Sequence, residues 1–483
     1  MHARMAGVTG ERGAEGASPA VADKPSQTGR FVRVAVALAG ATAAACFWLG
    51  LLGADLPLSA RHCLGVASLA VGLWGSELIP LPLTAVLAML LLFVSGAVPK
   101  LEQAFTGFAS PVLFFLLGSF GLGVAGEKTG LVDRLAAWLL ARSRGSGYRL
   151  LADLLLSLPL QALLVPSAMS RNTVLVPVYD RVLARVGRPP RLGAALMLTL
   201  GVLGPLASTA LLSGGTSPVA AAQAIGGFTW VSWFVAMAPP YYVLLAVTGV
   251  ALWFLYRPEA SVEVAASNGG EPSGGLSGAE WRVAAVAIAT SLLWMLDQFT
   301  HWPPAVPAML ALLALCLPRW GVMSWGLFAR QAPWATCFVL AGAVSLADAL
   351  SRAGAATWVA KGLFAWFPGA TDPALAALAV YAVTCLIALA VPNRAAAITL
   401  VIPLAAAYAA AGVLSTAAAG LVVLIAVDVE TVYPAQTAAN LIAYDRGYFS
   451  AGALVRFNLV TLLAGALVIV FVALPWWRLV GLP

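Results

Sequence analysis

Apolar residues run along this chain in long uninterrupted stretches, from about residue 31 to the carboxyl end, with polar residues confined to the joints between them. A stretch of about 20 such residues matches a hydrocarbon layer of ~30 Å. The stretches are too long and too uniform for the in/out alternation of barrel strands, and lipid offers the backbone no hydrogen bonds, so each is predicted to be a helix. The first spans fall near 31–53, 62–79, 82–98 and 111–128. An amphipathic stretch with Lys128, Arg134, Arg142, Arg144 and Arg149 comes next, and reads as a helix lying along the membrane surface.

Residues 150–190 are apolar but broken at LVPSAMSRNTVLVP, with Arg149 before the segment and Arg181, Arg185, Arg188 and Arg191 after it. Basic flanks on both sides place both ends on one face, which predicts a re-entrant helical hairpin. A span over 192–226 is interrupted at LSGGTSPV, and another covers 231–256. The second half has spans near 281–297, 304–318 and 332–351, then a surface segment to about 370. Two apolar runs broken at AVPNRAA, a span over 413–446 interrupted at YPAQTAAN, and a last span near 450–475 complete it.

These elements define an all-α polytopic membrane protein, with about 11 transmembrane helices and two re-entrant hairpins. The divisions are a disordered cytoplasmic tail (1–29), a first membrane half (30–257), a Gly/Ser-rich cytoplasmic linker (258–280) and a second membrane half (281–483). The tail has no apolar core before Val32, so it is not read as a signal peptide. With the tail inside, about 20 Lys and Arg fall on the cytoplasmic side and about five outside (Arg61, Lys100, Arg352, Lys361, Arg478), the bias of a multi-pass inner-membrane protein.

Composition agrees: 61% of residues are hydrophobic and 10% charged, against about 25% charged in soluble domains. The net charge of +7 comes from loops and does not point to nucleic acid. Cys46, Cys63, Cys316, Cys337 and Cys385 lie scattered, and the histidines are His2, His62 and His301 alone, which argues against a disulfide framework or a metal centre. The 16 tryptophans lie mostly near predicted helix ends, as interfacial anchors do.

The chain also repeats itself. Gly118–Gly130 aligns with Gly342–Gly354, Pro166–Pro177 with Pro392–Pro403, and Thr216–Gly226 with Thr437–Gly447. The last pair is followed by Phe228-Thr229 and Phe449-Ser450. The second hairpin would enter from the face opposite the first, so the halves form an inverted-topology repeat, whose binding site sits where the broken elements meet.

Those breaks suit an anion. Ser167, Asn393 and Ser217-Pro218 have the residue types that cap and start helices, whose unpaired N–H groups attract oxyanions. Arg171 and Arg394 lie in the two hairpin tips, where an unpaired guanidinium would cost at least ~2.5 kcal/mol; each either serves a substrate or caps local carbonyls and acids. Ser213, Gly215, Thr216, Gln436, Thr437 and Asn440 could supply oxygens to Na⁺. Asp428 and Glu430, before the second break, could titrate or pair with Arg394, and Asp348 could simply face an interface.

With GLWGSELIPLPLTAVLAMLLL, GFASPVLFFLLGSFGLGVAGEKTGL, the two tip motifs and YPAQTAANLIAYDRGYFS, the chain resembles the divalent anion:sodium symporter family over residues 60–480. That family includes Na⁺/dicarboxylate and sulfate cotransporters and dicarboxylate exchangers. The resemblance implies a homodimer with a fixed scaffold and an elevator-like transport domain. It also implies substrate contacts from Ser167, Ala168, Arg171, Asn172, Thr173, Thr216, Asn393, Arg394 and Thr437, with Na⁺ as the only added ion and no other cofactor. The family's Ser-Asn-Thr triplets are altered here, to Ser167-Ala168-Met169 and Asn393-Arg394-Ala395, and the first Na⁺-loop motif has Val219 in place of Asn. Arg394 would repel Na⁺ and could itself neutralise the anion, with ~4 kcal/mol between unit charges 4 Å apart at an effective dielectric of 20. Two other readings stay open: a cation/proton antiporter titrating Asp428 and Glu430, and a membrane-embedded enzyme, for which the spans lack a histidine constellation.

Overall fold

A computed structural model describes residues 27–76, 78–131, 134, 146–164, 168–257, 275–364, 372–389, 391, 394–410, 414–432 and 436–482. Among them every regular element is helical. The first half contains α1 (Gln27–Trp48), α2 (Leu58–Ser76), α3 (Leu81–Val94), α4 (Pro111–Thr129), α5 (Gly147–Leu164), α6 (Ala168–Arg185), α7 (Pro190–Ser208), α8 (Thr216–Ile225) and α9 (Trp230–Tyr256). In the second are α10 (Gly278–Met295), α11 (Ala305–Cys316), α12 (Trp334–Arg352), α13 (Ala355–Phe364), α14 (Pro373–Ala388), α15 (Arg394–Ala409), α16 (Thr416–Val429), α17 (Ala438–Tyr444) and α18 (Ala451–Leu479). Five of these, α4, α7, α9, α12 and α18, are long and apolar enough to cross a membrane. Shorter apolar helices include Pro373–Ala388, Arg394–Ala409 and Thr416–Val429, around the second predicted hairpin and break.

The helix starts follow local chemistry. Ser110 accepts a hydrogen bond from the Val112 N–H at 3.3 Å with Pro111 beginning α4, an arrangement that uses the missing proline N–H. Thr229 and Ser450, the hydroxyl residues that end the third repeat match, are both N-caps, of α9 and α18. Ser277 and Glu280 form a reciprocal capping box at the linker end of α10, where Arg134 also reaches the Glu280 carboxylate at 3.0 Å. One expected cap is displaced. The helix after the first break begins at Thr216, with Gly215 before it and no side-chain cap, so Ser217 lies inside the first turn.

Packing is reciprocal between the halves. The first half's α4 lies against α11, while α12 lies against α3. In the first pair a Cβ at Gly118 would come within 2.4 Å of the Ala308 backbone; in the second, one at Gly342 would come within 2.7 Å of the Ala85 Cβ. In lipid, where burial of apolar surface drives helices together little, such small residues let backbones approach and dispersion hold them. The same exchange occurs at the breaks: α8 packs on α15, and α17 on α6. Each short helix after a break therefore rests on the second arm of the other half's predicted hairpin.

The tail up to residue 26, most of the predicted surface helix, residues 258–274 of the linker and both hairpin-tip prolines lie outside the described residues. Some tryptophans depart from the interfacial expectation: Trp74, Trp233, Trp294 and Trp477 are fully buried. Their indole N–H groups donate to backbone carbonyls, Trp477 to Ala236 at 2.9 Å and Trp294 to Pro304 at 3.0 Å, so they tie helices together. All five cysteines are free thiols.

Candidate anion site

The crosswise packing of α8, α15, α17 and α6 leaves a cavity of about 240 Å³ between the breaks. Its floor is apolar: Phe115, Leu116 and Phe120 of α4, Ala168 and Met169 at the start of α6, and Pro205 of α7. Its polar wall comes from Ser208, Thr209 and residues 214–218 of the first half, and from Arg394, Asp428, Gln436 and Thr437 of the second. Ser119 and Thr336 add hydroxyls. Six of the positions expected to contact substrate or Na⁺ thus meet in one space: Ala168, Gly215, Thr216, Arg394, Gln436 and Thr437.

Among the described residues Arg394 is the one cation that lines this cavity. It is the first residue of α15, so its side chain leaves from the very tip of the arm. Its Nη2 donates to the Glu430 carbonyl at 3.3 Å and to Thr431 Oγ1 at 2.6 Å. Nη1 lies 4.0 Å from Asp428 Oδ1, and Nε is buried with no hydrogen-bond partner among the described residues. Ser119 Oγ on the facing wall is likewise buried and unpartnered. A guanidinium and a hydroxyl-bearing side chain on the walls of one cavity suit a guest that accepts hydrogen bonds.

Asp428 is the one acid lining the cavity among the described residues, and it is 2% exposed. Thr209 donates to its Oδ2 at 2.6 Å and Tyr241 at 3.0 Å. Two hydroxyl donors and a guanidinium are what a buried carboxylate requires. Glu430, two residues on, is also buried but turns away from the cavity; Gln436 Nε2 approaches its Oε1 at 3.5 Å.

The remaining predicted residues have other positions. Arg171 is 2% exposed and does not line the cavity; its Nη2 donates to the Gly204 carbonyl at 3.2 Å and to Ser208 Oγ at 2.6 Å. It therefore braces α6 on α7, the capping role weighed for it above. Asn172 also turns from the cavity, donating from Nδ2 to the carbonyls of Leu200 and Ala439, each at 2.9 Å, and so ties α6 to both α7 and α17. Thr173, the next residue of α6, does not line the cavity either. Ser213 accepts from the Trp230 indole at 3.2 Å, Gln436 Oε1 takes the Val432 N–H at 2.8 Å, and Asn440 sits against Gly201. Ser167 and Asn393 lie outside the described residues. Asp348 faces elsewhere, paired with Arg352 at 2.8 Å.

Sequence reasoning missed Thr209, Tyr241 and Ser119. Thr209 and Tyr241 lie 219 and 187 positions from Asp428, and no local motif marks them.

A family model for the sodium:sulfate symporter transmembrane region matches residues 35–482. The chain belongs to the sodium:sulfate symporter family. This is the divalent anion:sodium group that its motifs resembled, and its members are transporters rather than enzymes. A membrane protein of Cupriavidus necator is 26% identical over 63% of this chain and 65% of its own length. The citrate/succinate antiporter of Escherichia coli is 27% identical over 54% of the chain and 56% of its own length. The chloroplastic dicarboxylate transporter 2.1 of Arabidopsis thaliana is 26% identical over 53% and 49%. The chain thus aligns with about half to two-thirds of the length of each of these symporter-family relatives.

Proposed function

We propose that this chain is a secondary active transporter of small organic anions, with di- or tricarboxylates such as succinate, malate or citrate as substrates and sulfate as a further candidate. Relatives named as a citrate/succinate antiporter and a dicarboxylate transporter support the class. The observation that carries the reading is Arg394, the one cation among the described residues that lines the cavity between the two breaks. A guanidinium charge suits carboxylate and sulfate oxygens alike. Ala168, Thr216 and Thr437 would border the bound anion, and Ser167 and Asn393 would complete the tips. Arg171, Asn172 and Thr173 would hold the first tip in place without touching the substrate.

The reciprocal packing of α4 on α11 and α12 on α3, and of α8 on α15 and α17 on α6, supports an inverted repeat with about 11 spans and two re-entrant hairpins. In this arrangement the hairpins, breaks and α16 form the moving, elevator-like unit of each protomer in a homodimer. The protein sits in the inner membrane with its amino terminus in the cytoplasm.

Exchange of one anion for another is the favoured mode. A fixed charge at Arg394 repels Na⁺, and side-chain oxygens of the proposed ion loops, Ser213 and Gln436, already accept internal hydrogen bonds. Na⁺ coupling is the second reading, because Gly215, Thr216 and Thr437 still line the cavity. Counterflow in proteoliposomes with a panel of anions, with and without Na⁺, decides between them. Rapid Na⁺-independent counterflow of a dicarboxylate is expected; Na⁺ flux that ignores every anion would instead establish a cation/proton antiporter.

A further inference from the structure

We propose that Asp428 takes up one proton when the anion binds, so that this carrier moves its anion together with H⁺. The inference rests on the anion-carrier reading and concerns the same cavity. Arg394 and Asp428, 4.0 Å apart, are the one cation and the one acid on its walls among the described residues. With both ionised the site is neutral, and the carboxylate is itself an anion occupying the guanidinium's field.

An incoming oxyanion that reaches Arg394 in a cavity of about 240 Å³ comes to comparable distance from Asp428. Repulsion by one then offsets attraction by the other, since both act through the same low-dielectric space. Protonation of Asp428 removes the repulsion and leaves the guanidinium for the guest. One H⁺ leaves water and bonds to a carboxyl oxygen; the hydroxyls of Thr209 and Tyr241, now donors to Oδ2, can rotate to accept. The site passes from neutral to +1, and one anionic group restores neutrality.

The surroundings single out Asp428. Among the described residues Tyr241 on α9 and Arg394 on α15 are the ionisable groups that contact it, and α8 offers Ser217. From α18, Asn458 and Thr461 bond the Val429 carbonyl instead. Glu430 is engaged by Gln436, does not line the cavity, and interacts with Tyr381 and Cys385 of α14 as well as with Arg394. The consequence is functional. An unloaded carrier holding the internal ion pair has a neutral site that can recross the membrane, so net uptake driven by a proton gradient becomes possible alongside exchange.

The test uses the purified full chain with labelled succinate and sulfate between pH 6.5 and 8.5, and liposomes containing a fluorescent pH indicator. The wild type is expected to lose about tenfold in affinity per pH unit once Asp428 is ionised, as linkage to one proton requires, and anion entry should acidify the lumen. Asp428→Asn should bind at every pH with no slope and carry anion without acidification, while Glu430→Gln keeps the wild-type slope. Flat wild-type binding, no acidification during wild-type flux, or a slope that survives in Asp428→Asn would each overturn the inference. The first two need no variant to fold. Absence of any anion binding by the wild type would instead remove the carrier reading and this inference with it.

Discussion

Replacing Arg394 by Gln keeps a side chain of similar reach and hydrogen-bonding power but removes the charge. In the native site Nη2 is occupied by Glu430 O and Thr431 Oγ1, so Nη1 and the charge itself are what remain for a guest. A hydrogen bond to a charged group contributes about 1.5–3 kcal/mol, and the full Coulomb interaction at 4 Å reaches ~4 kcal/mol at an effective dielectric of 20. At 1.4 kcal/mol per decade, Arg394→Gln should weaken anion binding roughly tenfold to several hundredfold. Part of the loss comes from leaving Asp428, 2% exposed, without its counter-charge. The double variant with Asp428→Asn separates the two effects, since it leaves no buried charge behind. Equilibrium binding in detergent, with the melting temperature as a check on folding, measures both. A folded Arg394→Gln protein that binds within twofold of wild type would refute the assignment.

Asn172→Ala should lower the melting temperature without changing the anion preference, because it removes the bonds to the Leu200 and Ala439 carbonyls; at about 0.5–1.5 kcal/mol net for each hydrogen bond, the loss is about 1–3 kcal/mol. Thermal unfolding in detergent reads it, and an unchanged midpoint would show that the bridge is unimportant. Outside the membrane, the Ser277 N–H first and Arg134 second hold the Glu280 carboxyl below its ordinary value. That contribution to stability is present above the unfolded value of about 4.3 and is lost as pH falls through the lower folded one. Glu280→Gln should therefore be less stable than wild type at pH 7 and converge with it in acid; a constant difference at all pH values would contradict this.

Much of the architecture was legible because lipid enforces it. Spans must be long and apolar, so most helices could be read directly, whereas Thr229 and Ser450 stood out only as matching hydroxyls of the repeat and proved to be N-caps. The unequal fates of the two arginines were also written in the chain. Arg171 follows its tip proline by five positions and Arg394 by two, and three residues are nearly a helical turn, about 4.5 Å of rise. The first is thus drawn back onto α7 while the second stays at the mouth. What local pattern could not disclose is the set that holds Asp428. Thr209 and Tyr241 reach it only when α7, α9 and α16 converge, and neither has a spacing that marks it. The displaced start of α8 was not marked either: Gly215 is extended, with φ of 174°, and Thr216 begins the turn before the Ser-Pro pair.

The central claim is that an anion sits between the two breaks, and site-directed alkylation tests it most directly. None of the five native cysteines lines the cavity; in a variant with all five replaced by Ser or Ala, single cysteines at Ala168 and at Thr437 would report from opposite halves. Saturating dicarboxylate should slow modification of both, with one shared half-maximal concentration equal to that for transport. Unchanged alkylation at both positions, at a concentration that saturates flux, would place the substrate elsewhere.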